Sequence, residues 1–200
     1  MSAPLWEIED AVRDEGFERV CGVDEAGRGP LAGPVCAAAV ILPRGCVIEG
    51  LNDSKQLSEK RREALYDEII SRAEHYGIAF ATVEEIERLN ILGATYLAMN
   101  RAIEALGAGI DLALIDGNRS EGIAYPCRTV IKGDAKCASI AAASVLAKVT
   151  RDRYMLALAD RYPGYGFEKH KGYGTKLHYA ALRELGPCAE HRAKFLRKLH

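Results

Sequence analysis

The chain has 200 residues, 48% of them apolar, with a formal net charge of −1. That length fits one domain, and the apolar share is enough for a packed core. The near-neutral charge excludes a global field that attracts nucleic acid, so any such binding has to come from local patches. The six cysteines (Cys21, Cys36, Cys46, Cys127, Cys137 and Cys188) make no C-x-x-C pair and no zinc spacing with histidine, which points to reduced, structural thiols. No segment reads as a signal peptide or membrane span, so a soluble cytoplasmic protein with no membrane partner is expected.

In chain order, residues 5–15 are charged and weakly amphipathic, with Trp6, Ile8 and Val12 on one side of a short helix. Val20, Cys21 and Val23 predict a first strand that ends at Asp24 and Glu25. Gly27, Gly29, Pro30, Gly33 and Pro34 then forbid regular structure, and residues 35–42 form a second apolar strand. Successive strand side chains point to opposite faces, so the two acids serve one site only if the strand breaks at them. The same stretch also reads as a tight turn with solvated acids. As a dinucleotide fingerprint, Gly27-x-Gly29-x-x-Ala32 fails, because that motif opens a helix and a strand follows here.

Residues 43–55 predict a loop ending in Asn52-Asp53-Ser54-Lys55, whose donors suit a phosphate. Ser58 caps a helix over 59–73, residues 76–81 form a third strand, and Thr82-x-x-Glu85 is a capping box. That box opens a helix to about residue 90, and another spans about 92–106. Residues 112–115 and 129–131 are short strands, ended by Asp116-Gly117-Asn118 and by Gly133-Asp134. An alanine-rich helix is predicted from 135 to about 159; Lys136, Lys148, Arg151 and Arg153 along it either contact substrate or are charges of a solvated face. Residues 162–174 predict an irregular loop, Thr175 caps a helix to about 185, Pro187 breaks it, and a basic helix from about 189 closes the chain. Strands first, then strands alternating with helices, indicate an α/β domain with a mixed sheet.

Acids thus stand at three strand ends: Asp24 with Glu25, Asp116, and Asp134. Each is also an ordinary turn residue. Together they are placed to meet at one edge of the sheet, where open α/β folds put their ligands. Four carboxylates in one place repel and hold each other's pKa up unless cations neutralise them, and the hard ions Mg²⁺ or Mn²⁺ suit them. Two such ions about 3.5–4 Å apart clamp a phosphodiester for attack by water. The loop Glu168-Lys169-His170-Lys171-Gly172-Tyr173-Gly174-Thr175-Lys176 joins basic groups, which take phosphates, to a tyrosine that can stack on a base or sugar. The basic run from His191 to Lys198 either meets nucleic acid or solvates the last helix.

These residues, taken together, resemble bacterial ribonuclease HII. The likeness rests on the run from Gly22 to Val35, on Asp53-Ser54-Lys55, on Ile115-Asp116-Gly117, on Lys132-Gly133-Asp134-Ala135 with Ser139 to Ser144, Ala147-Lys148-Val149 and Arg151-Asp152, and on His170 to Thr175. The resemblance implies an RNase H-like mixed β-sheet flanked by helices, in a single catalytic domain over 1–200 with a small C-terminal helical region from about 160. It implies a metal-dependent endonuclease acting on RNA–DNA hybrid and on ribonucleotide-containing duplex DNA, with Mn²⁺ or Mg²⁺ as cofactor and a monomer as the working unit. The products would carry 3′-hydroxyl and 5′-phosphate ends. By the same likeness Asp24, Glu25, Asp116 and Asp134 are the metal-binding acids. Gly27, Arg28 and Gly29 meet the ribonucleotide 2′-hydroxyl, and Tyr173 stacks on the neighbouring sugar. Ser54, Lys55, Lys136 and Ser139 complete the substrate-binding set. A sister family, ribonuclease HIII, has Glu in place of Asp134 and an added N-terminal domain, so HII is the better match. The chain has Arg192-Ala193-Lys194-Phe195 where many members have Arg-Arg-Ser-Phe, which leaves the C-terminal substrate contacts open.

Overall fold

A computed structural model describes residues 4–51 and 58–196. A single 3-10 turn, Pro4–Trp6, leads into α1, Glu7–Asp14. Two antiparallel strands follow, β1 (Val20–Ala26) and β2 (Val35–Ile41), joined by the glycine-rich turn. Helix α2 (Glu59–Arg72) starts where the Ser58 side chain accepts from the Arg61 N–H, as the sequence predicts. It leads to β3, His75–Ala81, which lies antiparallel to β2.

Helix α3, Val83–Glu104, opens on the predicted Thr82–Glu85 capping box and kinks at Asn90. Asn90 has φ 63°, and its side-chain oxygen accepts from the Leu92 and Gly93 N–H groups at 2.9 and 3.1 Å. One asparagine therefore ends the first segment and caps the second, which is why the sequence reads as two helices. Strands β4 (Leu112–Asp116) and β5 (Cys127–Val130) run parallel to β1. Helix α4 is Ala138–Arg161, and α5 (Phe167–His170), α6 (Lys176–Leu185) and α7 (Ala193–Leu196) pack around its C-terminal end.

The sheet order is β3-β2-β1-β4-β5, with β1 at the centre. Alternation along β2 sorts its side chains between two cores. Cys36, Ala38 and Val40 meet α4 and α2, while Val35, Ala37, Ala39 and Ile41 meet α3. Helix α4 lies close on β1 because Gly22 has no side chain: a Cβ there would come 2.2 Å from the Ile140 amide nitrogen. The mixed sheet flanked by helices is the fold class expected from the sequence. All six cysteines are free, and burial pushes the Cys21 and Cys36 thiols up to about 12. Among the described residues no helix is long and apolar enough to cross a membrane.

Several boundaries differ from expectation. Strand β1 does not break at its acids. The ladder to β2 continues through Asp24–Ala38, Glu25–Ala37 and Ala26–Cys36. β5 begins two residues earlier than predicted, and Ile131 beyond it is exposed. Lys132 is left-handed (φ 56°) and a 3-10 turn occupies Gly133–Ala135, so Asp134 stands in its own turn and α4 starts three residues late.

Candidate active site

Strands β1 and β4 are parallel, paired up to Val23 with Ile115. One residue further on, both strands present aspartate, Asp24 and Asp116. Asp24 leaves β1 towards α4, where it takes a side-chain hydrogen bond from Ser144. Its Oδ1 also accepts the Glu25 N–H at 2.7 Å. Glu25 leaves on the opposite face, beside Tyr96 and Met99 of α3. Both acids still border one cavity of about 430 Å³, because it lies past the end of the sheet rather than on either face. The broken strand expected from the sequence is thus unnecessary.

Asp116 borders the same cavity, and its Oδ1 accepts the Gly133 N–H at 2.7 Å. That bond ties the Asp134 turn to the end of β4. Asp134 is buried but does not line the cavity itself. Burial, and then the nearby Glu25 and Asp116, hold the Asp24 carboxyl well above the usual carboxylate range. Burial likewise raises Glu25, opposed by Arg28, whose Nη1 donates to Glu25 Oε1 at 3.1 Å. Among the described residues the acids are not drawn together tightly enough to outline a metal site by distance. Their chemistry still fits a hard divalent cation: three carboxylates converge on one pocket, and Asp24 is costly to ionise for lack of compensating charge.

The rest of the cavity wall is cationic and aromatic. Gly27, Arg28, Gly29, Lys148 and Tyr173 border it. Gly27 has φ 96°, and a Cβ there would fall 2.0 Å from Arg151 Nε, so both conformation and space require glycine. Tyr173 is 44% exposed, and its ring edge lies against Gly29. Lys148 pairs with Asp152 at 2.8 Å and sits 6.0 Å from the Tyr173 ring centre. Ser144 and Lys148, one helical turn apart on α4, were not predicted site residues, though their i, i+4 spacing is a readable signal. A second cavity of about 250 Å³ shares Glu25, Arg28 and Asp116 and extends to Asn118 and Arg119.

Two predicted substrate-binding residues, Ser139 and Lys136, fall elsewhere. Ser139 is buried, and its hydroxyl donates to Glu9 Oε1 at 2.7 Å, so it faces α1 and not the cavity. Lys136 is exposed in the turn before α4 and does not line the cavity. Ser54 and Lys55 lie outside the described residues.

Arg151 and Arg192, each left by the sequence as either a substrate contact or a solvated charge, are buried instead. Arg151 donates to the carbonyls of Pro34, Ala32 and Lys171 at 3.0, 3.1 and 3.0 Å. Arg192 donates to those of Gly27, Arg28 and Gly33 at 2.6, 3.0 and 2.7 Å. Their exposures are 1% and 0%, which excludes both from direct nucleic-acid contact. Arg151 was legible in part, since Ala143, Ala147, Arg151 and Met155 form one buried i, i+4 stripe.

A mixed five-stranded sheet with helices on both faces is an RNase H-like fold, here with Asp24 and Asp116 at the ends of two parallel strands. The structure matches a crystal structure of ribonuclease H2 from Pyrococcus horikoshii with TM-score 0.73 and 26% identity, covering 91% of this chain and 97% of that one. The family model for ribonuclease HII matches residues 21–200. Ribonuclease HII of Caldicellulosiruptor bescii is 50% identical over 194 residues, 97% of this chain and 94% of that protein. That of Burkholderia cenocepacia is 58% identical over 178 residues, 89% and 83% of the two chains. The chain belongs to the ribonuclease HII family. It is a ribonuclease H, a phosphodiester hydrolase acting on RNA–DNA substrates.

Proposed function

We propose that the chain cuts the RNA strand of RNA–DNA hybrids and incises duplex DNA 5′ to a single ribonucleotide, leaving 3′-hydroxyl and 5′-phosphate ends. The observation that carries this reading is one cavity bordered by Asp24, Glu25 and Asp116 and also by Gly27, Arg28, Gly29 and Tyr173. Asp24, Glu25 and Asp116, with Asp134 from the adjoining turn, would hold Mn²⁺ or Mg²⁺. Two such ions, when bound, would lower the pKa of a water and offset charge at the leaving oxygen.

The remaining work falls to the chain. Main-chain groups of Gly27 and Gly29 meet the ribose 2′-hydroxyl, the group that separates RNA from DNA. The Arg28 guanidinium, with 52% of its side chain exposed, takes a phosphate oxygen. Tyr173 stacks on the sugar next to the ribonucleotide, and Lys148 adds positive charge beside it. Ser54, Lys55 and Lys136 contact the flanking backbone. Water adds to phosphorus as the bond to the 3′ oxygen breaks, and that oxygen leaves with the proton. A single catalytic domain working as a monomer in the cytoplasm is part of the same proposal.

The test is cleavage of an end-labelled RNA–DNA hybrid with Mg²⁺, Mn²⁺ or EDTA, for the wild type and for Asp134→Asn. Metal-dependent cutting by the wild type, lost in Asp134→Asn with hybrid binding intact, is expected. Cutting in EDTA, or full turnover in Asp134→Asn, contradicts the metal assignment.

A further inference from the structure

The two parts of the site that would read the ribonucleotide come from distant stretches of chain, the turn at residues 27–29 and the loop carrying Tyr173. Neither belongs to a strand or long helix. The Leu31 N–H donates to the Gly172 carbonyl, and Arg151 binds carbonyls of Ala32 and Pro34 on one side and of Lys171 on the other, so further contacts tune a link that already exists. A short segment near the C-terminus touches both.

Residues 190–192 lie along residues 31–33. The Gly33 N–H donates to the Glu190 carbonyl at 2.8 Å, and the Arg192 N–H donates to that of Leu31 at 2.8 Å. A β-bridge pairs Ala32 with His191. The neighbouring side chains His191 and Arg192 then diverge. The Arg192 guanidinium sits under the glycine-rich turn and binds the carbonyls of Gly27, Arg28 and Gly33. With those carbonyls engaged, Arg192 holds residues 27–28 and 33 of the turn, beside Arg151 on Ala32 and Pro34.

His191 reaches the other part of the site. Its Nδ1 accepts the Cys188 N–H at 2.9 Å, which places its proton on Nε2. That proton is donated to His178 Nε2, 3.0 Å away. His178 Nδ1 carries a proton in turn and donates it to the Tyr173 carbonyl at 2.9 Å. Hydrogen bonds thus run from the C-terminal segment through two buried histidines to the backbone of the stacking tyrosine.

We propose that His191 and Arg192 are positioning residues that set the turn at 27–29 and Tyr173 in register with each other, so that discrimination of ribo- from deoxyribonucleotide depends on this segment. The inference rests on the proposed reading of the site, and neither residue touches substrate. Arg192 is buried, and a lysine there keeps the charge but cannot span three carbonyls. His191→Gln breaks the link to Tyr173 while leaving the turn's carbonyls bound to Arg192.

The experiment compares wild type, Arg192→Lys and His191→Gln with Ile103→Val, which trims the core under α3 far from the segment. Fluorescence anisotropy in EDTA gives Kd for a duplex with one ribonucleotide and for the same duplex in all-DNA form. Cleavage with Mn²⁺ gives kcat and KM, and thermal melts confirm folding at the assay temperature. Arg192→Lys and His191→Gln should each lower the ribo/deoxy Kd ratio at least fivefold, whereas Ile103→Val should leave it unchanged at comparable loss of stability. An unchanged ratio in both segment variants, or an equal fall in Ile103→Val, overturns the proposal. Should one segment variant not fold, the other decides. A wild type with no preference for the ribonucleotide duplex contradicts the reading of the site itself, and is recognised before any variant is compared.

Discussion

Glu9 of α1 accepts both the N–H and the hydroxyl of Ser139, at 2.9 and 2.7 Å, and so caps a helix 130 residues further along the chain. It also accepts the Ala138 N–H at 3.3 Å. Cys137, the residue before α4, offers no side-chain cap of its own. The carboxylate is buried, and burial raises its pKa despite these bonds. Glu9→Ala leaves the first turn of α4 without its acceptor and should cost about 2–3 kcal/mol, the sum of a lost cap and unpaired buried donors. For a chain of this length that is a fall of about 5–10 °C in Tm. Glu9→Gln keeps one acceptor oxygen and should lose no more than about 1 kcal/mol. Thermal melts of the two variants measure both figures.

His170, His178 and His191 are buried neutral, and burial lowers all three pKa values, that of His191 to about 4. The His170 and His178 rings stack with centres 4.3 Å apart. Each takes up a proton more readily when unfolded, near pH 6.5, than when folded. Between those values the unfolded state binds more protons, so this stability is complete above about pH 6.5 and is lost as pH falls towards about 4. Tm should therefore drop from pH 7 to pH 5, and less steeply in His191→Gln. Equal slopes in the two proteins would show that the cluster does not carry the effect.

Asp24 carries a cost to folding. It is buried beside Glu25 and Asp116, and its charged form is disfavoured. Asp24→Asn keeps an acceptor for Ser144 and removes the charge. In EDTA at pH 7 that variant should be more stable than the wild type by about 1–2 kcal/mol, within the range seen when strained functional groups are neutralised. It should also lose cleavage. A lower Tm for the variant in EDTA would show that the wild-type carboxylate is already compensated.

Gly22 tests the seat of α4. A methyl there runs into backbone atoms of Ser139 and Ile140, at 2.3 and 2.2 Å. Backbone cannot give way as a side-chain tip can, so Gly22→Ala should push α4, with Ser144 and Lys148, off β1. A loss of about 3 kcal/mol or more is expected, in the range of severe core overpacking. Denaturant titration gives this directly, and a loss under about 1 kcal/mol would mean the helix shifts freely.

Much of the architecture was legible because it rests on local signals. The Ser58 and Thr82 caps, the apolar run of β2 and the acids near strand ends are written in adjacent residues, and the helices and strands follow from them. The strand order β3-β2-β1-β4-β5 is not local and could not be read from periodicity. Nor could the geometry of Asp24 and Glu25. Alternation along an unbroken strand separates them, and only the cavity's place past the end of the sheet reunites them. Charge misled the reading at Arg151 and Arg192, since a basic residue usually marks solvent, and only tertiary structure shows carbonyls gathered around a buried guanidinium. Ser139 was misplaced for a related reason: its partner, Glu9, is 130 residues away and belongs to a helix that read as a charged lead-in.

Asp24, Glu25 and Asp116 share one cavity with the turn at residues 27–29, and on the proposed reading they act together on one bond. The most direct measurement is to map cleavage of end-labelled duplex DNA containing a single ribonucleotide, with Mn²⁺ or Mg²⁺, beside an all-DNA duplex of the same sequence. A single metal-dependent cut on the 5′ side of the ribonucleotide, with the all-DNA duplex intact, is the predicted result. Cutting of both duplexes at similar rates, or cutting at positions unrelated to the ribonucleotide, would contradict it.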